Sequence, residues 1–172
     1  INGDLQGTLT DSKRKLELNV PPDKYILSLY VENIGRITYG PEILDNSKGL
    51  FGSVFIDGAE ITGWKMTELK VRDADVSTLT FSQAATDKNP AFFKGEFNMD
   101  IPKDCYLDIS GWGMGEVWVN GIYAGSFWEG EKQQSIQIPS SALKAGKNQI
   151  VAFDIKNNGI SMMKLVDSPV FK

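Results

Sequence analysis

The 172-residue chain contains no histidine at all. That removes the Ser-His-Asp and Cys-His relays, the usual zinc ligand sets and the commonest general base at neutral pH. Cysteine is nearly absent too: Cys105 stands alone in "KDCYLD", so no disulfide can close within the chain, and no CxxC partner or imidazole activates the thiol. It reads as a small buried residue. No apolar run approaches the roughly 20 residues that a membrane-spanning helix needs, and no membrane partner is expected. Arginine is confined to Arg14, Arg36 and Arg72, and the net charge is -4. Such a chain offers no basic surface for nucleic acid. Its lysine-heavy usage points toward a bacterial source.

What is present suits a packed β domain. Hydrophobic residues make up 41% of the chain, and short runs rich in Val, Ile, Leu, Tyr and Phe recur between Gly, Pro, Asn and Asp: "KLELNV", "YILSLYVE", "GSVFI", "STLTF", "AFFKGEF", "YLDI", "EVWV", "IYAGSF", "SIQI" and "QIVAFDI". Nearly all have strand length and several alternate. No segment keeps a helical period for three turns, and "PSSALKAG" makes at most one short turn between Ser140 and Gly146. The expected class is all-β, arranged as a sandwich. The chain is too short for a (β/α)8 barrel of about 250 residues.

An internal repeat organises the chain. "INGDLQGTL" at residues 1–9 matches "VNGIYAGSF" at 119–127, and the same offset joins "LNVP" to "IQIP". The expectation is two successive copies: residues 1–45 as the C-terminal remnant of a preceding sandwich, and 46–172 as a complete one. The junction falls near "PEILDNSKG", where Pro41, Asp45, Asn46 and Gly49 break the pattern. Ile1 already reads as mid-strand, so the chain is expected to belong to something longer.

The stretch "GWGMGEVWVNGIYAGSFW", residues 111–128, concentrates aromatic rings around an Asn-Gly pair. Asn-Gly between β runs favours a type I′ hairpin, which would pair Val119 with Ile122, Trp118 with Tyr123 and Val117 with Ala124. One face is then aliphatic and the other carries Trp118, Tyr123 and Phe127. The repeat puts Asp4 and Gln6 where Ile122 and Ala124 stand; burying those polar groups unpaired would cost several kcal/mol. Trp118, Tyr123 and Phe127 are therefore read as core, with a sugar-stacking platform as the alternative. Trp112 and Trp128, at the hairpin's ends, could stack on apolar sugar faces beside Asn120, or pack against a neighbouring domain.

As a set, "LYVENIGRITYGPE", "KGLFGSVFIDG", Trp64, "PAFFKGEF", "YLDISGWGMGEVWVNG" and "IPSSALKAGKNQIVAFD" closely resemble the C-terminal region of β-galactosidases of glycoside hydrolase family 35. The resemblance implies jelly-roll sandwiches of the galactose-binding-domain-like type, following a catalytic (β/α)8 barrel that this chain lacks. It implies a parent enzyme that removes terminal β-galactose with retention, using two glutamates of that barrel, so no catalytic residue is expected here. The expected function is a non-catalytic module packed on the barrel. The alternative is a carbohydrate-binding module holding galactosides at Trp112, Asn120 and Trp128. The family commonly carries Lys at Met114, "GRYW" where Ser126 and Phe127 stand, and Gly-Pro at Glu131-Lys132; the missing Arg and Lys remove two contacts to an adjoining domain or ligand. A periplasmic or extracellular compartment follows from the parent.

Acidic residues are plentiful, Glu32, Glu116, Glu129 and Asp154 among them, but most such groups solvate a surface. The loops "VRDADVS" and "PEILDNSKG" lack calcium-loop spacing, and no metal or cofactor is expected.

Overall fold

A computed structural model describes residues 1–10, 12–18, 20, 24–31, 39–45, 49–82 and 90–172. The chain falls into two compact units, Ile1–Glu68 and Leu69–Lys172.

In the first unit, Asn2 and Gly3 take φ of 52° and 95°, the left-handed pair that a tight β turn demands and that Asn and Gly tolerate best. The turn closes with Asp4 N–H on Ile1 O at 2.8 Å. Asn2 grips Ile26 twice, donating its amide N–H to Ile26 O at 2.9 Å and accepting Ile26 N–H on Oδ1 at 2.8 Å. Farther along, β1 (Val54–Ile56) and β2 (Ala59–Ile61) form a hairpin across Asp57-Gly58, with φ of 49° and 81°. The expected strands "KLELNV" and "YILSLYVE" form no ladder among their described residues. Leu5 and Leu9 are 67% and 45% exposed, since no described strand covers them.

The second unit holds β3 (Ala91–Met99), β4 (Cys105–Asp108), β5 (Met114–Val119), β6 (Ile122–Trp128), β7 (Ser135–Ile138), β8 (Gly146–Asp154) and β9 (Lys164–Val166). They build two antiparallel sheets, one ordered β3-β8-β5-β6 and the other β7-β4-β9. Neither sheet closes on itself; the architecture is an all-β sandwich. Leu107, Ile109, Trp112, Val117, Val119, Phe127, Ile136 and Ile138 fill the space between the sheets, with Cys105 buried among them as a free thiol.

The four-stranded sheet is also covered on its other face. Residues 71–81 cross it through two 3-10 turns, Val71–Asp73 and Val76–Thr78, and lay Val76, Leu79 and Phe81 over Trp118, Val151, Phe92 and Phe153. The run "STLTF" is therefore cover and not a strand. Asp75, in the acidic loop "VRDADVS", caps the second turn by accepting Ser77 N–H at 3.0 Å. "PSSALKAG" does make one short turn, at Ser140–Ala142.

The repeat is visible in backbone geometry. Asn120 and Gly121 take φ of 51° and 82°, and Gly125 takes 155° against 157° at Gly7. Asn120 holds Gln149 as Asn2 holds Ile26, with N–H to Gln149 O at 2.8 Å and Gln149 N–H on Oδ1 at 3.0 Å. The same sequence element makes the same paired contact in both units: an asparagine in a turn holds a residue that follows the repeat's proline, Gln149 in β8 of the second unit and Ile26, outside any described ladder, in the first.

Candidate functional site

The β5–β6 hairpin carries Asn120 at its turn and Trp128 on β6, and Trp112 lies in the loop that leads into β5. The turn pairs Val119 with Ile122 and Trp118 with Tyr123 as expected, but Val117 faces Gly125 and not Ala124, because the register shifts between Val117 and Trp118. An extra residue on one strand of a pair redirects the side chains beyond it. The expectation that Trp118, Tyr123 and Phe127 share one inward face is corrected accordingly. Phe127 lies between the sheets, Trp118 lies on the far face beneath residues 71–81, and Tyr123 is 38% exposed.

Trp112 is 2% exposed. Its indole N–H donates to Met162 O at 3.0 Å, and its ring meets Phe93 and Phe127 edge-on at 5.2 and 6.1 Å. Little of the ring is open to solvent, but it lines a cavity of about 790 Å³ together with Phe93, Ala152, Met163 and Leu165. Trp128 pairs with Met114 at the open end of the hairpin and is half-buried. The Gly130 backbone lies flat against it, so that a Cβ there would come within 2.5 Å of the indole. Beside it Glu129 accepts Lys156 Nζ at 2.5 Å and Asn158 Nδ2 at 2.9 Å. Those bonds, Lys156 first, hold the Glu129 carboxyl below its ordinary range.

Asn120 sits at the opposite end. Its Nδ2 donates to Ala142 O and to Asn148 Oδ1, both at 2.8 Å, so both amide protons are spent on the fold. With about 3.3 Å of rise per strand residue, the turn lies roughly 20 Å from the Trp128 end. The structure thus brings Trp112 and Trp128 to one end of the hairpin and puts Asn120 at the other. Asn120→Ala would strand Gln149 N–H and Ala142 O and force a poorly tolerated positive φ. We expect a loss of about 2 kcal/mol in urea unfolding of the second unit.

On the outer face of the hairpin Tyr123 donates its hydroxyl to Glu116 Oε2 at 2.6 Å, while Arg72 Nε donates to Glu116 Oε1 at 3.1 Å. Burial first, then the Glu116 bond, pushes the Tyr123 phenol up to about 12. The network ties the covering segment to the sheet.

Asp154, grouped in the sequence with acidic residues that mostly solvate a surface, is buried instead. Its carboxylate is 1% exposed and accepts three backbone N–H groups: Gly113 at 3.3 Å, Met114 at 3.2 Å and Lys156 at 3.1 Å. Two of these donors, Gly113 and Met114, lie about forty residues away in sequence, so local pattern does not reveal the arrangement. Among the described residues no group of three His, Cys, Asp or Glu side chains could hold a metal ion, and no helix is long and apolar enough to cross a membrane.

Fold and site together define an all-β accessory module in which Trp112, Trp118 and Asp154 are buried. The family described as "Beta-galactosidase, first all-beta domain" matches residues 1–70, and "Beta-galactosidase, galactose-binding domain" matches residues 90–148. Similar relatives include beta-galactosidase 17 of Arabidopsis thaliana, 34% identical over 165 residues, covering 84% of this chain and 24% of that protein. The beta-galactosidase of Xanthomonas manihotis is 35% identical over 128 residues, 74% of this chain and 21% of its own length. The human beta-galactosidase-1-like protein 2 is 30% identical over 134 residues, with 75% and 21% covered. The chain belongs to the accessory β region of the family 35 β-galactosidases and contains no catalytic barrel. It spans about a quarter of the length of these relatives, which come from a plant, a bacterium and an animal, so kinship does not single out a bacterial source.

Proposed function

We propose that this chain is a non-catalytic jelly-roll module that packs against the (β/α)8 barrel of a β-galactosidase acting on terminal β-galactosides, in a periplasmic or extracellular setting. Its first 45 residues then complete one sandwich and the remainder forms the next, as the repeated Asn-Gly clamp suggests. The observation that carries the packing role is the commitment of the candidate sugar contacts to the fold: Trp112 is enclosed and the Asn120 amide is bonded to Ala142 and Asn148. Trp128 alone of the three keeps a partly open ring, and it supports the second reading, a galactoside-binding module.

Titration with galactose or lactose separates the two. We expect tryptophan fluorescence to stay flat. Saturable quenching that disappears in Trp128→Ala would favour the binding module, and release of chromophore from a β-galactoside by the purified chain would overturn both.

A further inference from the structure

The outer face of the four-stranded sheet carries a recess at the turn end of the β5–β6 hairpin, opposite the Trp128 end. A pocket of about 450 Å³ opens beside the Asn120-Gly121 turn, between Phe81, the β3 residues Lys94 and Glu96, Lys144 on the loop before β8 and Lys147 at the start of β8. That volume lies within the range of small-molecule sites, about 300–1,000 Å³. Three lysines and one glutamate line it, a positive surplus on a chain whose net charge is -4. Glu96 is engaged by Lys147 at 2.7 Å. Lys94 and Lys144 stand in no ion pair among the described residues.

The Lys94 ammonium and the Lys144 backbone are each anchored. Lys94 Nζ lies 5.7 Å from the Phe81 ring centroid, an attraction that keeps the ammonium against the pocket wall. Asn148, 1% exposed, clamps the Lys144 backbone on both sides, accepting Lys144 N–H at 2.9 Å and donating to Lys144 O at 2.8 Å. Asn120 in turn fixes Asn148 at 2.8 Å. A loop locked in this way loses little freedom when a ligand arrives. Phe81 offers an apolar wall, and Gln149 and Ser77 add polar groups at the rim.

We propose that this pocket binds an anionic saccharide, a sugar unit bearing a carboxylate or a sulfate ester, with Lys94 and Lys144 as its charge contacts. The choice of a sugar rests on the reading of the chain as part of a carbohydrate-degrading enzyme; the choice of an anionic one rests on the lysines. It deepens the binding-module alternative at a different place from the hairpin's open end.

The test is calorimetric titration of the whole chain with galactobiose, a sulfated galactobiose and digalacturonate, in low and in high salt. One acidic disaccharide should bind roughly tenfold tighter than galactobiose at low salt and lose that advantage at high salt. Which one does so identifies the anion. Lys144→Gln should remove most of the preference with the melting temperature unchanged, because the fold holds that residue by its backbone, and Lys94→Gln should act likewise. Equal affinity for all three sugars, acidic binding indifferent to both substitutions, or inorganic sulfate matching the sulfated disaccharide would overturn the proposal. Binding of galactobiose alone would also overturn it while upholding a neutral galactoside site, and no binding at all would overturn it while leaving the packing role intact.

Discussion

Gly115→Ala is expected to unfold the second unit's sandwich, at a cost above about 4 kcal/mol, beyond the usual 1–3 kcal/mol of overpacking. Gly115 lies on β5 between two partners, opposite Phe127 on β6 and Asp154 on β8. A Cβ built there would stand 1.6 Å from Phe153 O, 2.7 Å from its carbonyl carbon and 2.9 Å from Phe127 Cζ. Two of those atoms are backbone of the neighbouring strand, so no rotamer change relieves the clash. β5 and β8 must part at that rung, and Phe127 must leave the space between the sheets. Gly95 provides the control: it sits on β3, where a Cβ meets nothing within 4 Å, and Gly95→Ala should gain about 0.5 kcal/mol through reduced backbone entropy of the unfolded chain. Urea unfolding followed by tryptophan fluorescence compares the two. Similar midpoints for both variants would contradict the close approach of β5 and β8.

Much of the second unit was legible because its strands announce themselves locally. "AFFKGEF", "EVWV", "IYAGSF" and "SIQI" lie in observed strands, "YLDI" and "QIVAFDI" do so but for their last residue, and Asn-Gly set the turn and the first two cross-strand pairs. The repeat was legible for the same reason, since a positive-φ asparagine followed by glycine leaves a sequence trace. What failed to show was anything decided at long range. The register shift beside Val117 has no signature in "EVWVNGIYAG". Without it, Trp118 and Phe127 seem to share a face. Trp112 reads as a ring that could stack on a sugar or a neighbouring domain, yet Met162, fifty residues later, accepts its N–H, and Phe93 comes from another strand to meet its edge. Asn120 reads as a polar contact for a ligand because sequence shows its amide and not the Ala142 and Asn148 groups that occupy it. The pocket beside it escaped notice because Phe81, Lys94, Lys144 and Lys147 are scattered over more than sixty positions.

Asp154→Ala should cost the second unit about 4 kcal/mol and loosen the "GWGMG" loop selectively. A buried carboxylate is retained only when its lone pairs are filled, and here Gly113, Met114 and Lys156 all donate to it. Bonds to a charged acceptor are worth roughly 1.5–3 kcal/mol each, and truncation leaves the donors facing a methyl group. The glycine at 113 belongs to the same arrangement, since a Cβ there would come 2.5 Å from Lys156 Cβ and 3.0 Å from Asp154 Oδ1. Asp154→Asn should lose less, because one oxygen remains to accept while the new amide group opposes a donor. Hydrogen exchange provides the specific readout: the amides of Gly113, Met114 and Lys156 should lose protection in Asp154→Ala well before those of β4 and β7, which pair elsewhere. Unchanged protection at those three amides would show that the loop stands without the carboxylate. Loosening that reaches Trp112 would tie the two roles together, for the loop that Asp154 anchors is the one that delivers the Trp112 ring into the core.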